Sequence, residues 1–183
     1  VNDPREANPY GKTYTVDRLG NVLGAAPVRY LNVPMPVMKD CAATVLQAGK
    51  PVWFGCDTEQ QADRDLSLWD KNLYDYGAVY GVDFGMDKEE RLLSHESLMT
   101  HAMLFVGVDM LDGAPRRWRV ENSWGCEDRA DEGFYTMNDS WFDEYVFEIA
   151  VHRDRLPAKY REVIDSEDAP VVLPAWDPMG SLA

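Results

Sequence analysis

The sequence is poor in cysteine, and that shortage argues against two classes of protein. Only three cysteines, Cys41, Cys56 and Cys126, occur among its 183 residues. Their number is odd and their spacing matches no metal-ligand pattern, which argues against a disulfide framework and against a zinc centre. Unpaired cysteines also favour a reducing compartment, so we expect a cytoplasmic protein that needs no metal or other cofactor.

Positive charge and long apolar runs are scarce as well. Eighteen Lys and Arg residues stand against 32 Asp and Glu residues, which gives a formal net charge of −14. Such a surface repels phosphate backbones and anionic lipid, so neither nucleic acid nor a membrane is expected as a partner. No apolar run approaches the roughly 20 residues that a membrane-spanning helix needs. What remains is typical of a globular domain with a core, 45% hydrophobic and 27% charged.

The opening residues, VNDPREANPYG, include no initiator Met and no signal-peptide pattern. We therefore expect a fragment of a longer protein, forming a single unit over residues 1–183. Its polar opening, residues 1–12, is rich in Pro, Asn and Gly and predicts a loop. A β-rich part with helices is expected over 13–155, and a helix followed by a C-terminal arm over 156–183.

Local patterns predict both helices and strands. Residues 34–49 are expected to form a helix, because Pro36 lies near the start, apolar residues recur at helical spacing and Gly49 suits the position after the end. Short strands are predicted at 13–24, 27–34 and 52–54, and short helices or helical turns around 58–68, 87–99 and 156–167.

The clearest strand patterns lie in the second half, at 101–109, 116–122, 133–137 and 145–151. Asp112-Gly113 links the first two and is typical of a tight hairpin turn. The end, PVVLPAWDPMGSLA, contains three prolines and is predicted to be neither an ordinary helix nor a central strand. These patterns together indicate an α+β fold.

The predicted hairpin places two polar residues at its open end. If its strands pair through a tight turn at Asp112-Gly113, His101 falls within about a residue of Asn122 in the register. Only alternate residues share a face of a sheet, so the parity must also agree. An Asn amide can hold one imidazole nitrogen without adding charge, and Trp124 can cover that bond from water. This is the orienting half of a nucleophile–His–Asn triad, although a structural role for the histidine stays open.

These residues resemble a known enzyme family. THAM at 100–103 and WRVENSWG at 118–125 are similar to the His and Asn segments of papain-like cysteine peptidases. Five further stretches narrow the resemblance to the bleomycin hydrolase and aminopeptidase C branch: NPYGKTYTVDRLGNV at 8–22, KPVWFGCD at 50–57, NLYD at 72–75, ESLMTHAM at 96–103 and LPAWDPMG at 173–180.

The resemblance implies a papain-like α+β fold, of which this chain is the β-barrel-rich half with flanking helices and an extended C-terminal arm. It implies that His101 is the general base and acid, that Asn122 orients it and that Trp124 supports the pair. The substrates would be peptides, shortened from the N-terminus. In this family the arm lies in the active-site cleft, so the carboxylate of Ala183 is expected to bind the substrate's α-ammonium group.

The resemblance also implies that half of the active site lies elsewhere. The family's nucleophilic Cys and oxyanion-hole Gln belong to an N-terminal half, and no segment here matches their pattern. The three cysteines of this chain are therefore expected to be structural or incidental. Relatives assemble as hexamers, which predicts a homo-oligomer for the full-length protein and an inactive fragment when this chain is alone.

Two other interpretations remain open. His95-Glu96 begins like the zinc-binding His-Glu-x-x-His motif, but Met99 occupies the last position and the next histidine comes six residues after His95. That spacing turns about 600° around a helix, so the zinc interpretation is weak. His152 lies among charged residues and is expected to be a solvated surface group. The second interpretation is that the isolated chain is a folded scaffold or oligomerisation module without activity.

Overall fold

The computed structural model describes residues 1–20, 22–125 and 132–181. Its strands are β1 (Thr13–Val16), β2 (Tyr30–Leu31), β3 (Val52–Cys56), β4 (Ala62–Asp63), β5 (Leu68–Trp69), β6 (His101–Leu111), β7 (Ala114–Glu121), β8 (Phe134–Asn138), β9 (Val146–Ala150) and β10 (Val171–Leu173). Its α-helices are α1 (Met35–Gln47), α2 (Tyr76–Tyr80), α3 (Lys88–Leu93), α4 (Asp139–Tyr145) and α5 (Ala158–Asp165), and two 3₁₀ turns span Arg153–Arg155 and Pro178–Gly180.

The strands form two sheets. Seven of them make a curled half-barrel in the order β4-β5-β8-β7-β6-β3-β9, and the other three make a small sheet in the order β10-β1-β2. Aromatic rings fill the inner face of the half-barrel, where Phe54 and Phe105 stack with their centroids 3.7 Å apart and Trp118 packs beside them. The fold is α+β, which confirms the class predicted from the sequence.

The central hairpin is the element that positions the site. Its turn is Asp112-Gly113, and both residues have positive φ, 52° and 83°, as a two-residue hairpin turn with right-handed twist requires. Leu111 pairs with Ala114 beside the turn, and Leu104 pairs with Glu121 near the open end. The pairing shifts register twice between these points, so the strands carry two irregularities that sequence patterns did not indicate.

Most predicted elements occur near their predicted positions, and the prediction for residues 58–68 is wrong. Residues 58–68 are not helical: they contain turns and the short strand β4, because Asp63 accepts the backbone N–H groups of Asp65 and Leu66 and closes a tight turn. Helix α2 was not predicted, and neither was α4, which at seven residues is too short to show a helical period. Three of its seven residues are buried, which stabilises the helix by tertiary packing.

The C-terminal arm is held against the body of the molecule. Its strand β10 runs parallel to β1 at the edge of the small sheet, where a segment with flanking prolines is tolerated. Beyond β10, the guanidinium of Arg5 donates to both carboxylate oxygens of Asp177, at 2.8 and 3.0 Å. Met179 is buried, and the hydroxyl of Ser181 donates to the backbone carbonyl of Met99. The arm therefore leads to the segment that immediately precedes β6.

Candidate active site

His101 is the first residue of β6, and Cys56 of β3 is its cross-strand partner. On the other side of β6, the pairing with β7 reaches Leu104, three residues beyond His101. The preceding Thr100 fixes this start, because its N–H donates to the carbonyl of Cys56 at 2.9 Å and its hydroxyl accepts the N–H of Thr58 at 3.1 Å. The imidazole is half-buried, so it lies at a rim where a reactant can approach.

Asn122 lies one residue beyond the end of β7 and contacts the imidazole directly. Its side-chain oxygen, Oδ1, lies 2.9 Å from Nε2 of His101. The same oxygen accepts the backbone N–H of Ser123 at 2.7 Å. Since a backbone N–H only donates, this second contact requires the oxygen of the amide at that position. Nε2 of a neutral His101 must then carry the proton, which leaves the lone pair on Nδ1.

Trp124 covers this pair. Its ring stacks on the imidazole of His101, with centroids 5.0 Å apart and planes inclined by 23°. The ring of Tyr135 in β8 packs against the indole in a T-shaped arrangement, with the two ring centroids 6.0 Å apart. An indole in this position limits the access of water to the bond between His101 and Asn122, and a hydrogen bond is stronger in a less polar environment.

The register of the hairpin explains why these three side chains share one face. Extending the pairing of Leu104 with Glu121 to the open end places His101 opposite Trp124. Asn122 precedes Trp124 by two residues and thus points to the same side of the sheet, at the diagonal distance that long side chains can bridge. The parity needed to bring His101 and Asn122 together is therefore present.

A buried polar cluster that sequence reasoning missed supports the start of β6. The carboxylate of Asp57 accepts the hydroxyl of Ser97 at 2.8 Å, and Thr100 lies 3.5 Å from its other oxygen. Burial raises the pKa of Asp57, and the hydrogen bonds of Ser97 and its neighbours act in the opposite direction. Only the position of Asp57 directly after a buried strand hinted at this role.

The cysteines that the structure describes are poorly suited to nucleophilic catalysis. Cys56 is fully buried although it neighbours His101, and burial raises the pKa of its thiol well above the usual value. Cys41 is buried in α1, where its thiol contacts the carbonyl of Arg155 and burial again raises its pKa. A thiolate is the nucleophilic form, so neither environment activates the sulfur. Cys126 lies outside the described residues.

The other residues singled out from the sequence lie apart from His101 and Asn122 or outside the described residues. Ala183 lies outside the described residues, and the last described residue of the arm, Ser181, contacts Met99 two positions before His101. His95 is exposed at a positive φ of 58° beyond the end of α3. His152 is exposed and lies 3.1 Å from Asp154.

No cluster of three metal-binding side chains occurs among residues 1–20, 22–125 and 132–181. Across the same ranges, no helix is both long and apolar enough to span a membrane.

Comparisons with known proteins place the chain in a family. Residues 1–180 match the Peptidase C1-like family. The whole chain is 48% identical to human bleomycin hydrolase and 46% identical to aminopeptidase C of Streptococcus thermophilus, and it covers 40% and 41% of their lengths. It also superposes on a crystal structure of PepW from Lactobacillus rhamnosis with a TM-score of 0.96 and 47% identity, over 41% of that chain. The chain thus spans about two fifths of the relatives it matches.

Proposed function

Because this chain belongs to the Peptidase C1-like family, we propose that it is the C-terminal part of a cysteine aminopeptidase that shortens peptides from their N-termini. In this proposal His101 is the general base and acid, and Asn122 orients its ring. The observation that carries the proposal is the 2.9 Å contact between Nε2 of His101 and Oδ1 of Asn122 beneath Trp124. It leaves Nδ1 of the imidazole available for proton transfer.

The nucleophile in this proposal is a cysteine of the part of the protein that this chain does not cover. Its thiol gives its proton to Nδ1 of His101, and the thiolate attacks the carbonyl carbon of the first peptide bond. The tetrahedral intermediate collapses as Nδ1 returns the proton to the leaving amine, and an acyl-enzyme thioester remains. Water then gives a proton to Nδ1 and attacks the thioester, which releases the N-terminal residue and returns the proton to the sulfur.

The amide of Asn122 suits this cycle because the imidazole changes charge twice in each turnover. A neutral oxygen acceptor holds Nε2–H in both protonation states and keeps Nδ1 directed at the reacting atoms. A carboxylate in its place would favour the imidazolium form more strongly and so hinder the return of the proton. The cover provided by Trp124 keeps the orienting bond away from water.

The aminopeptidase specificity in this proposal comes from the C-terminal arm. Ser181, the last described residue of the arm, contacts the carbonyl of Met99, two positions before His101, and this contact supports the proposal. We propose that the carboxylate of Ala183 pairs with the α-ammonium group of the substrate and blocks longer chains. In the full-length protein we further propose a cytoplasmic homo-oligomer, a hexamer as implied by the resemblance.

A matched pair of histidine variants tests the catalytic assignment. In the full-length protein, His101→Ala should lower kcat for an aminoacyl reporter amide by at least about 100-fold, the lower range for loss of a general acid–base group. His152→Ala is the control, because that imidazole is exposed on the surface. Equal activity of His101→Ala and the unmodified protein would exclude the proposed role.

A second candidate, an interaction module without activity of its own, is favoured by one observation. Large apolar side chains are exposed at high density between Tyr74 and Met86, including Val79 at 75% and Tyr80 at 67% exposure. Exposed apolar surface of this kind is typical of contacts with another chain. Mixing this chain with a separately produced N-terminal half decides between the candidates, since recovered hydrolysis supports complementation and persistent inactivity of a formed complex supports the module.

A further inference from the structure

Arg64 contacts the indole that covers the proposed catalytic pair. Its guanidinium carbon is 4.5 Å from the ring centroid of Trp124, within the range of a cation–π interaction. The same indole stacks on His101 at 5.0 Å. Two flat groups at these distances from one ring are accommodated most readily on its two opposite faces. We propose that Arg64 is a positioning residue that holds Trp124 against the imidazole of His101.

A hydrogen-bonded turn after β4 places Arg64 beside Trp124. Arg64 is the first residue after β4, and Asp63 closes the turn by accepting the N–H groups of Asp65 and Leu66 at 3.0 and 2.9 Å. The carbonyl of Ser67, at the end of the turn, accepts the N–H of Thr136 in β8 at 2.9 Å. The base of the turn is thus tied to the strand that neighbours β7.

The guanidinium of Arg64 also forms an ion pair. Its Nη2 lies 2.5 Å from a carboxylate oxygen of Glu59, which precedes β4. A guanidinium can donate in its plane to a carboxylate while its face rests on an aromatic ring, a combination that an ammonium group does not reproduce in the same geometry. Arg64 therefore connects the β4–β5 turn to the cover of the active site.

This inference rests on the proposed function, and its consequence concerns turnover rather than substrate binding. A cation–π contact at an exposed site contributes enough to change a population about two- to fivefold. If Trp124 leaves the imidazole in part of the molecules, the bond between His101 and Asn122 is exposed to water in those molecules. We then expect kcat to fall by up to about fivefold while KM stays constant.

Three variants of the full-length protein test the inference with an aminoacyl reporter amide. Arg64→Met removes the charge and keeps the length, and Arg64→Lys keeps a cation. Arg116→Met is the matched control, because Arg116 has the same 51% side-chain exposure as Arg64 and also pairs with a carboxylate, that of Asp109 at 2.6 Å. We expect kcat to fall for Arg64→Met, to recover partly for Arg64→Lys and to be unchanged for Arg116→Met. Unchanged kcat for Arg64→Met, or an equal fall for Arg116→Met, overturns the inference.

A second readout separates this inference from the proposed function. The ring current of Trp124 shifts the imidazole proton resonances of His101 upfield, and Arg64→Met should reduce that shift whereas Arg116→Met should not. Loss of activity in His101→Ala together with an unchanged ring-current shift in Arg64→Met rejects the positioning role and keeps the proposed function. Full activity in His101→Ala rejects the function, and with it the catalytic meaning of Arg64.

Discussion

Asp57 and Ser97 are forty positions apart in the chain and share a buried hydrogen bond of 2.8 Å. Asp57 follows Cys56, the cross-strand partner of His101, and Ser97 belongs to the segment that leads into β6. The bond therefore ties together the two chain segments that meet where the proposed catalytic imidazole begins its strand. It positions the site without contacting it.

Ser97→Ala should destabilise the folded protein. It leaves one oxygen of the buried Asp57 carboxylate with fewer donors, and loss of such a partner costs about 1–3 kcal/mol. Urea unfolding of the full-length protein measures the change in free energy. Ser94→Ala is the control, since Ser94 is exposed and its hydroxyl donates only to backbone carbonyls of α3 in the described contacts. Equal effects of the two substitutions contradict a supporting role for the buried bond.

Asn122→Ala should lower kcat in the full-length protein by less than His101→Ala does. The imidazole keeps its place in β6 but loses the acceptor that fixes Nε2–H, so the general base remains and its orientation is lost. We expect a decrease of about 10- to 100-fold, in the range of the loss of an orienting partner. Steady-state kinetics measure it, and Asn72→Ala, at an exposed turn, serves as the control. A larger decrease than that of His101→Ala would be inconsistent with an orienting role.

Cys56→Ala should preserve the activity of the full-length protein. Its thiol is fully buried, and burial raises its pKa well above the usual value, so it is protonated near neutral pH despite its place beside His101. The variant should react with iodoacetamide at the same rate as the unmodified protein, because the reactive thiol is elsewhere. Loss of turnover in a variant whose folding is intact would identify Cys56 as the nucleophile and refute the proposed division of the active site.

Lys88 should make the stability of the protein depend on pH above neutrality. Its ammonium is buried and donates to Asn2 and to the carbonyl of Val146, and burial lowers its pKa to about 7 from the usual 10.5. Between these values the unfolded chain binds a proton that the folded chain does not. The free energy of unfolding therefore rises with pH in this window, by at most about 1.4 kcal/mol per pH unit.

The comparison of Lys88→Met with the unmodified protein isolates this contribution. The difference in their free energies of unfolding should increase in favour of the unmodified protein between pH 7 and pH 9, a window that lies within the pKa interval of Lys88. Lys50→Met, at an exposed position, should give a curve parallel to that of the unmodified protein. Parallel curves for Lys88→Met as well would mean that the ammonium is not buried in solution.

Asp177→Ala should loosen the C-terminal arm and change the product pattern. Arg5 then loses its two hydrogen bonds to the arm but keeps those to Asp3, so the folded body remains while residues beyond β10 are held less firmly. We expect more cleavage of peptides with a blocked N-terminus, as after deletion of Ala183. Mass spectrometry of the products measures this, with Asp168→Ala at an exposed position as the control. Identical products from all four proteins would disprove a role of the arm in specificity.

The part of the site that could be predicted from the sequence is the part built by local rules. Asp112-Gly113 signals a hairpin turn, and alternation along both strands places His101 near Asn122 at the open end. The two irregularities shift the pairing by one residue and back again between the turn and the open end, and they depend on how β6 packs between β3 and β7, which single-strand patterns do not record.

Contacts between distant segments could not be predicted in the same way. Arg5 and Asp177 are 172 positions apart, and nothing in the sequence distinguishes either side chain from an ordinary charged surface residue. Arg64 was likewise hidden in a segment that local propensity assigned to a helical turn. Helix α4 was missed as well, because three buried residues stabilise it and packing contributes more than intrinsic preference in a short helix.

The two ends of the central hairpin differ in how well they tolerate inserted residues. Its tip at Asp112-Gly113 is exposed and begins eleven residues from His101, roughly 35 Å away at the rise of an extended strand. Paired residues beside the tip set the register, so extra residues inserted there leave the alternation toward the rim intact. A fluorophore or affinity tag can therefore be placed at this tip to follow association with other chains while the imidazole keeps its orientation.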